Sequence, residues 1–461
     1  MKRAFNHIPV KVDKINTKFR KITTSIPVPQ SIPVLKKIYK TESRSMHGQM
    51  PIIWKKAKGH QVYDKWGNKW IDFSSTIFLA NAGHGNQNII RSIKATLNKP
   101  LLHTYTYASE ERLKYLKYLI SNTPNNFEKA YLLSSGTEAT EAALKLMRLN
   151  GKKNKKRKLG IICFSGNWHG RTLGAQFMSG NQKEKDWIGY HDPNIIHLPF
   201  PYPWIEEVKK NPKSFFNKSL NKLLKKKKLN PKLDICGFML ETFQGWGAIF
   251  YPEQFIKELS KFSKRNKILL TFDEIQAGFG RTGKLFGYMH YKVKPDIICC
   301  GKGSSSSLPL SMVLGSKKIL DIPNTGSMSS THSANPMVCA AGYENLKFIL
   351  DNNLIAKSKN LGKILNKELH RISKKYNSIN ISVYGKGLIA SLIFKTKKQK
   401  PLGNLCSRIC ELCLQRGLLL VHTGRESLKI GPPLVISKEA LLEGIKVIEE
   451  AIDIALKDFQ G

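Results

Sequence analysis

Along the middle of the chain, apolar residues come in short unbroken runs. Each run is followed by a longer stretch in which they recur at every third or fourth position. KAYLLSS (129–135) leads into TEATEAALKLMRL, and LGIICFSG occupies 159–166. DICGFMLE (234–241) precedes PEQFIKELSKFSKR, and KILLTFDE (267–274), PDIICCG (295–301) and SMVLGS follow. Short continuous runs predict strands buried on both faces, and the longer periodic stretches predict amphipathic helices. Their alternation predicts an α/β fold, a mostly parallel sheet between helices.

On either side the pattern changes. Residues 1–50 hold four prolines and few long apolar patterns, so they read as an extended arm. GHQVYDKWGNKWIDF (59–73) alternates around Lys65-Trp66-Gly67-Asn68, as a hairpin does. After Asn335-Pro336 come two long helical stretches over roughly 336–376, then ISVYGKGLIASLIF, a hairpin bending at Gly-Lys-Gly. A helix near 403–416, short strands over 418–434 and a final helix close the chain. We expect an arm (1–50), an N-terminal part of a small domain (51–75), a large domain (76–335) and a C-terminal small domain (336–461).

Composition narrows the function classes. The 461 residues are 41% hydrophobic and 24% charged, the balance of a soluble globular chain. No apolar run approaches a membrane span, and the basic start lacks the apolar core of a secretory signal. A cytoplasmic enzyme without a membrane partner is expected. The net charge of +43 could suit nucleic acid, but the lysines are spread over the whole chain. The densest blocks, 152–158 and 225–228, read as a loop and a solvated helix end. We expect no nucleic-acid partner, and a field that favours anionic small ligands. Of eight cysteines, Cys299 and Cys300 adjoin within an apolar run, and Cys406, Cys410 and Cys413 share one helix face. They read as buried free thiols, with no metal site.

Candidate chemistry sits at the C-terminal ends of the predicted strands, where open α/β sheets bind ligands. In SSGTEATEAALK (134–145), Gly136 and Thr137 open a helix. The pattern suits a phosphate cradle and an ordinary capping box equally. In GNWHGRTLG (166–174), Trp168 and His169 could face a flat ligand or pack in a loop. Asp273 ends a very apolar strand and needs a partner there; it suits a pyridinium N–H or the cap of the next loop. Gln276 follows within reach of a ring hydroxyl. Lys302 breaks the run IICCGKGSSSSLP (297–309). A desolvated ammonium loses its proton more easily and becomes a nucleophile, although a surface lysine at a strand end would look similar. THSANP (331–336) adds a threonine hydroxyl suited to phosphate. Phosphate cradle, aromatic face, buried acid and amine together point to pyridoxal 5'-phosphate.

From about residue 50 to its end the sequence resembles the class III, fold type I pyridoxal-phosphate aminotransferases, which include 4-aminobutyrate, ornithine and acetylornithine aminotransferases. The block DEIQAGFGRTGKLFGYMHYKVKPDIICCGKG (273–303), with its 29-residue spacing of acid and lysine, carries the resemblance. It implies that Lys302 is the Schiff-base lysine, that Asp273 partners the pyridine nitrogen and that Gln276 contacts the ring 3-hydroxyl. Gly136 and Thr137 match the phosphate turn. Trp168, before His169, stands where the family stacks Phe or Tyr on the ring. Thr331 matches the threonine that reaches the neighbouring subunit's phosphate, which implies a homodimer with shared sites. The expected activity moves an amino group from an amine or ω-amino acid to a 2-oxo acid, pyruvate or 2-oxoglutarate. The alternative is an aminomutase, epimerase or decarboxylating transaminase of the same family. Two departures bear on substrate. The usual Gln-Gly-Glu-Gly-Gly reads Gln244-Gly245-Trp246-Gly247-Ala248, and Lys429 in SLKIGPPL replaces the usual carboxylate-binding arginine. Glu241, Trp246 and Lys429 are therefore the expected substrate residues, Lys429 as a looser clamp and Trp246 as an apolar wall.

Overall fold

The computed structural model describes residues 5–460. Seven strands make the central sheet: β1 (Lys129–Leu133), β2 (Gly160–Phe164), β3 (Ile195–Leu198), β4 (Ile235–Glu241), β5 (Leu269–Asp273), β6 (Ile297–Cys300) and β7 (Ser311–Gly315). Their order is β1-β7-β6-β5-β4-β2-β3. β6, β5, β4, β2 and β3 run parallel, and β7 runs against both neighbours.

Side chains alternate across the sheet with period two. Leu133, Ile161, Met239, Ile297, Cys299 and Val313 pack in one cluster with Ala139, Ala143 and Met147 of helix α1 (Gly136–Lys153). Leu132, Ile162, Leu240, Ile298, Cys300 and Leu314 face the opposite core. Both faces being covered explains why the strands read as unbroken apolar runs. The adjacent cysteines point to opposite layers, and all eight cysteines are free and buried. Cys406, Cys410 and Cys413 share the inner face of the helix Gly403–Gln415.

The two ends of the chain meet. A second sheet runs Ile15–Asn16, Lys21–Ile22, Lys69–Asp72, Gln61–Tyr63, Lys56–Lys58, with Leu418–Leu419 paired in parallel to Ile71–Asp72. Ile22, Ile26 and Val28 bury against Trp70, Leu414 and Leu419. Residues 5–50 are thus not simply extended, because they also contain the helix Ile32–Thr41. Its early proline disguised it, yet proline is well tolerated in a first helical turn, where its missing N–H costs nothing. A further antiparallel sheet joins the hairpin Asn380–Lys386 and Ile389–Lys395 to Ser427–Ile430 and Val421–His422.

Arg281 staples these parts together. Its side chain is 0% exposed and donates to the carbonyls of Leu388 and Pro432 and to Asn81 Oδ1. Burial lowers its pKa to about 9, against a small opposing pull from Asp72. Beside it, Ser75–Phe78 run through four consecutive left-handed residues, held by Ser75 Oγ donating to the Gly431 carbonyl at 2.6 Å.

Candidate active site

Parallel register sets the acids abreast. Asp273 pairs with Glu241 on one side and Cys299 on the other, so the ends of β4, β5 and β6 form one rim. Lys302 lies just past β6, in a short 3-10 turn with φ of 44°. The start of α1 and the loop after β2 complete the rim. Together they enclose a cavity of about 320 Å³ lined by Gly136, Thr137, Trp168, His169, Glu241, Asp273, Gln276 and Lys302, among others.

Asp273 is 5% exposed. Its Oδ1 accepts from the Ile275 N–H at 3.0 Å and its Oδ2 from His169 Nδ1 at 2.9 Å. The carboxylate is oriented by these two donors and keeps lone pairs for a third. His169 Nε2 is buried without a hydrogen-bond partner among the described residues. Burial lowers the pKa of Lys302, while the nearby Asp273 and Glu241 oppose that effect. Burial, then Asp273, raises the Glu241 carboxyl to about 8, although the Trp168 and Gly245 N–H groups donate to its Oε2.

At α1 the capping alternative holds. Ser135, not Thr137, is the N-cap: its Oγ accepts from the Glu138 N–H, and Glu138 Oε2 accepts from the N–H groups of Ser134 and Ser135. That leaves Gly136 and Thr137 at the positions whose N–H groups have no intrahelical acceptor. Glu141 has a different task. It accepts from Thr172 Oγ1 and the Ala175 N–H, fixing the loop that carries Trp168. A Cβ on Gly170 would collide with Thr137, so the loop closes on the helix start only because that position is glycine.

Three expected site residues stand elsewhere. Thr331 is exposed and outside this cavity. Trp246 does not line it either. Its indole N–H donates to Gln244 Oε1 at 2.7 Å, and the Arg425 guanidinium lies 3.9 Å above its ring. Lys429 is behind the wall, 3% exposed, with Nζ donating to Gln276 Oε1 at 2.7 Å and lying 4.2 Å from the Phe78 ring centre. Conversely, Arg171 lines the cavity with its guanidinium 4.6 Å over Trp168. The sequence signal for it was its place two residues after His169, in a glycine-bounded loop.

A buried acid with a spare lone pair, a dry amine, an aromatic wall and free helix N–H groups, around a cavity of ligand size, form a donor set that fits pyridoxal phosphate. The sequence profile described as aminotransferase class-III matches residues 43–452. An alanine/serine racemase of Pyrococcus horikoshii is 30% identical, over 97% of this chain and 96% of its own. An ornithine aminotransferase of Saccharomyces cerevisiae is 31% identical, over 88% of this chain and 94% of its own. The solved ornithine aminotransferase of Toxoplasma gondii shares the fold with a TM-score of 0.82 at 22% identity, over 93% of this chain and 96% of that one.

Proposed function

Because the chain belongs to the class III aminotransferases, we propose that the cavity at the rim of β4, β5 and β6 is the site of amino-group transfer from an amine or ω-amino acid to a 2-oxo acid. The observation that carries this is the convergence of Asp273, Lys302 and the start of α1 on one cavity. The enzyme is a pyridoxal-phosphate-dependent transferase. The cofactor, when bound, supplies an electron sink that acidifies the amino-bearing carbon of the substrate. This chain's residues do the rest. Gly136 and Thr137 present donors to the phosphate, and Trp168 walls one face. Asp273, oriented by His169, holds a proton at the ring nitrogen. Lys302 would be the residue that holds the cofactor covalently, and its neutral amine would move the proton at the substrate carbon. Arg171 faces the cavity beside Trp168 and supplies the charge for a carboxylate.

The protein is read as a cytoplasmic homodimer. The eight free thiols support a reducing compartment. No helix among the described residues is long and apolar enough to cross a membrane. Thr331, exposed in the single chain, is free to reach a second copy's phosphate. Mixing Lys302→Ala with Thr331→Ala protomers gives one doubly defective and one intact site per heterodimer. Activity recovered per intact site is expected, and heterodimers that recover none would show that each subunit supplies its own contact.

The function is tested by loading the protein with pyridoxal phosphate and offering ornithine, 4-aminobutyrate and plain amines with pyruvate or 2-oxoglutarate. Amino-group appearance on the oxo acid is expected. If Arg171 holds a carboxylate, carboxylate-bearing donors outrun the plain amines. Inversion of an amino acid with no oxo acid present would replace transamination by the activity that names the Pyrococcus relative.

A further inference from the structure

Lys429 occupies the middle of the strand Ser427–Ile430, between Ser391 on one neighbour and Val421 on the other. Such a position gives its Cα little freedom. The same strand is tied to the loop after β4, with Ser427 Oγ donating to the Trp246 carbonyl at 2.9 Å and, from the next strand, Ser391 Oγ donating to the Gly247 carbonyl. From this anchorage the Lys429 side chain reaches 153 residues back along the sequence to Gln276.

A lysine ammonium donates and cannot accept, so the atom it holds must be the carbonyl oxygen of the Gln276 amide. The end of the amide left for the cavity is Nε2, a donor, lying beside Gly245 and the Glu241 carboxyl. Without Lys429 the amide can turn over and offer an acceptor in its place. The ammonium rests on the Phe78 face, which suits a cation, and lacks the open approach that a substrate carboxylate needs.

We propose that Lys429 is a positioning residue, which fixes the Gln276 amide as a hydrogen-bond donor toward the bound cofactor and does not clamp the substrate. This rests on reading the cavity as a pyridoxal-phosphate site. The test is made on the loaded enzyme before any turnover. In Lys429→Met the absorption spectrum of the bound cofactor shifts its pH midpoint and cofactor binding weakens about tenfold, the worth of one hydrogen bond. Lys429→Arg, which also only donates, keeps the wild-type spectrum. Gln276→Met reproduces the shift, and the double variant adds nothing to it. The ratio of KM values for a carboxylate-bearing donor and a plain amine stays at its wild-type value in Lys429→Met. An unmoved spectrum with a raised KM for carboxylate substrates alone would overturn the inference in favour of a clamp, as would additive effects in the double variant. If the wild-type protein takes up no pyridoxal phosphate, the proposed function falls, and this inference with it.

Discussion

Two lysines flank the same acidic rim, and they are held in opposite ways. Lys302 sits beyond a strand end in a left-handed turn, and its Nζ has no hydrogen-bond partner among the described residues. Lys429 sits in the middle of a strand, flanked on both edges, with Nζ on Gln276 and over Phe78. Burial is the first cause of a lowered pKa in both, and Glu241 pulls against it in each. Desolvation alone therefore does not distinguish the two amines; tethering does. A strand end leaves the side chain free over the cavity, and a strand interior fixes it. The left-handed backbone at Lys302 fits this view, since strain of about 1–3 kcal/mol is tolerated where geometry serves chemistry.

The comparison breaks first at Lys302. Lys302→Ala should lower turnover by roughly 10⁴-fold or more, because nucleophile and proton carrier are lost together and acid–base catalysis alone is worth 10²–10⁴. Loss of the borohydride-reducible cofactor linkage should accompany it, and a retained linkage with near-normal rate would remove Lys302 from its role. Lys302→Arg should be as inactive, although Lys429→Arg is expected to be mild. Asp273→Asn comes next. It should cost about 3–4 kcal/mol of transition-state stabilisation, the scale of one pre-organised electrostatic partner, with cofactor still bound. The kcat/KM ratio to wild type measures it, and near-wild-type turnover would end the assignment.

A further effect, on stability rather than turnover, concerns Glu241, which both lysines face. Burial, then the neighbouring Asp273, raises the folded Glu241 carboxyl above an ordinary glutamate, so the folded chain releases this proton at a higher pH than the unfolded chain does. Between those two pH values the unfolded chain gains by ionising and the folded chain does not. Stability therefore falls as pH rises through this window, by at most about 1.4 kcal/mol per pH unit. Glu241→Gln removes that contribution. Urea midpoints at pH 5 to 8 should converge toward the variant's at low pH and drop faster in the wild type above it. Parallel curves would show that Glu241 does not carry the slope.

What could be read from the sequence follows the same division. Asp273 and Lys302 were legible because a charge ending an apolar run contradicts its surroundings, and the strand register brings such ends together without further information. Gly136 and Thr137 were legible as a helix start, but sequence could not separate cap from cradle. The structure shows Ser135 and Glu138 doing the capping, which leaves the Gly136 and Thr137 N–H groups without an intrahelical acceptor. Lys429 and Trp246 were harder. Their surroundings depend on how a late hairpin and strand dock on the loop after β4, and no local pattern encodes that docking. Trp246 went to Gln244 and Arg425, away from the cavity. Arg171 stands out weakly from sequence, because in a chain with 76 basic residues one more arginine in a glycine-bounded loop carries little contrast. The helix Ile32–Thr41 hid behind its proline.

The reciprocal cap at Ser135 and Glu138 has a consequence for how the protein comes into being. The donors before the helix are satisfied by the chain's own side chains, so α1 needs no anion to begin. The two N–H groups kept for a ligand lie on a frame already complete. The start of α1 can therefore form before any anion arrives.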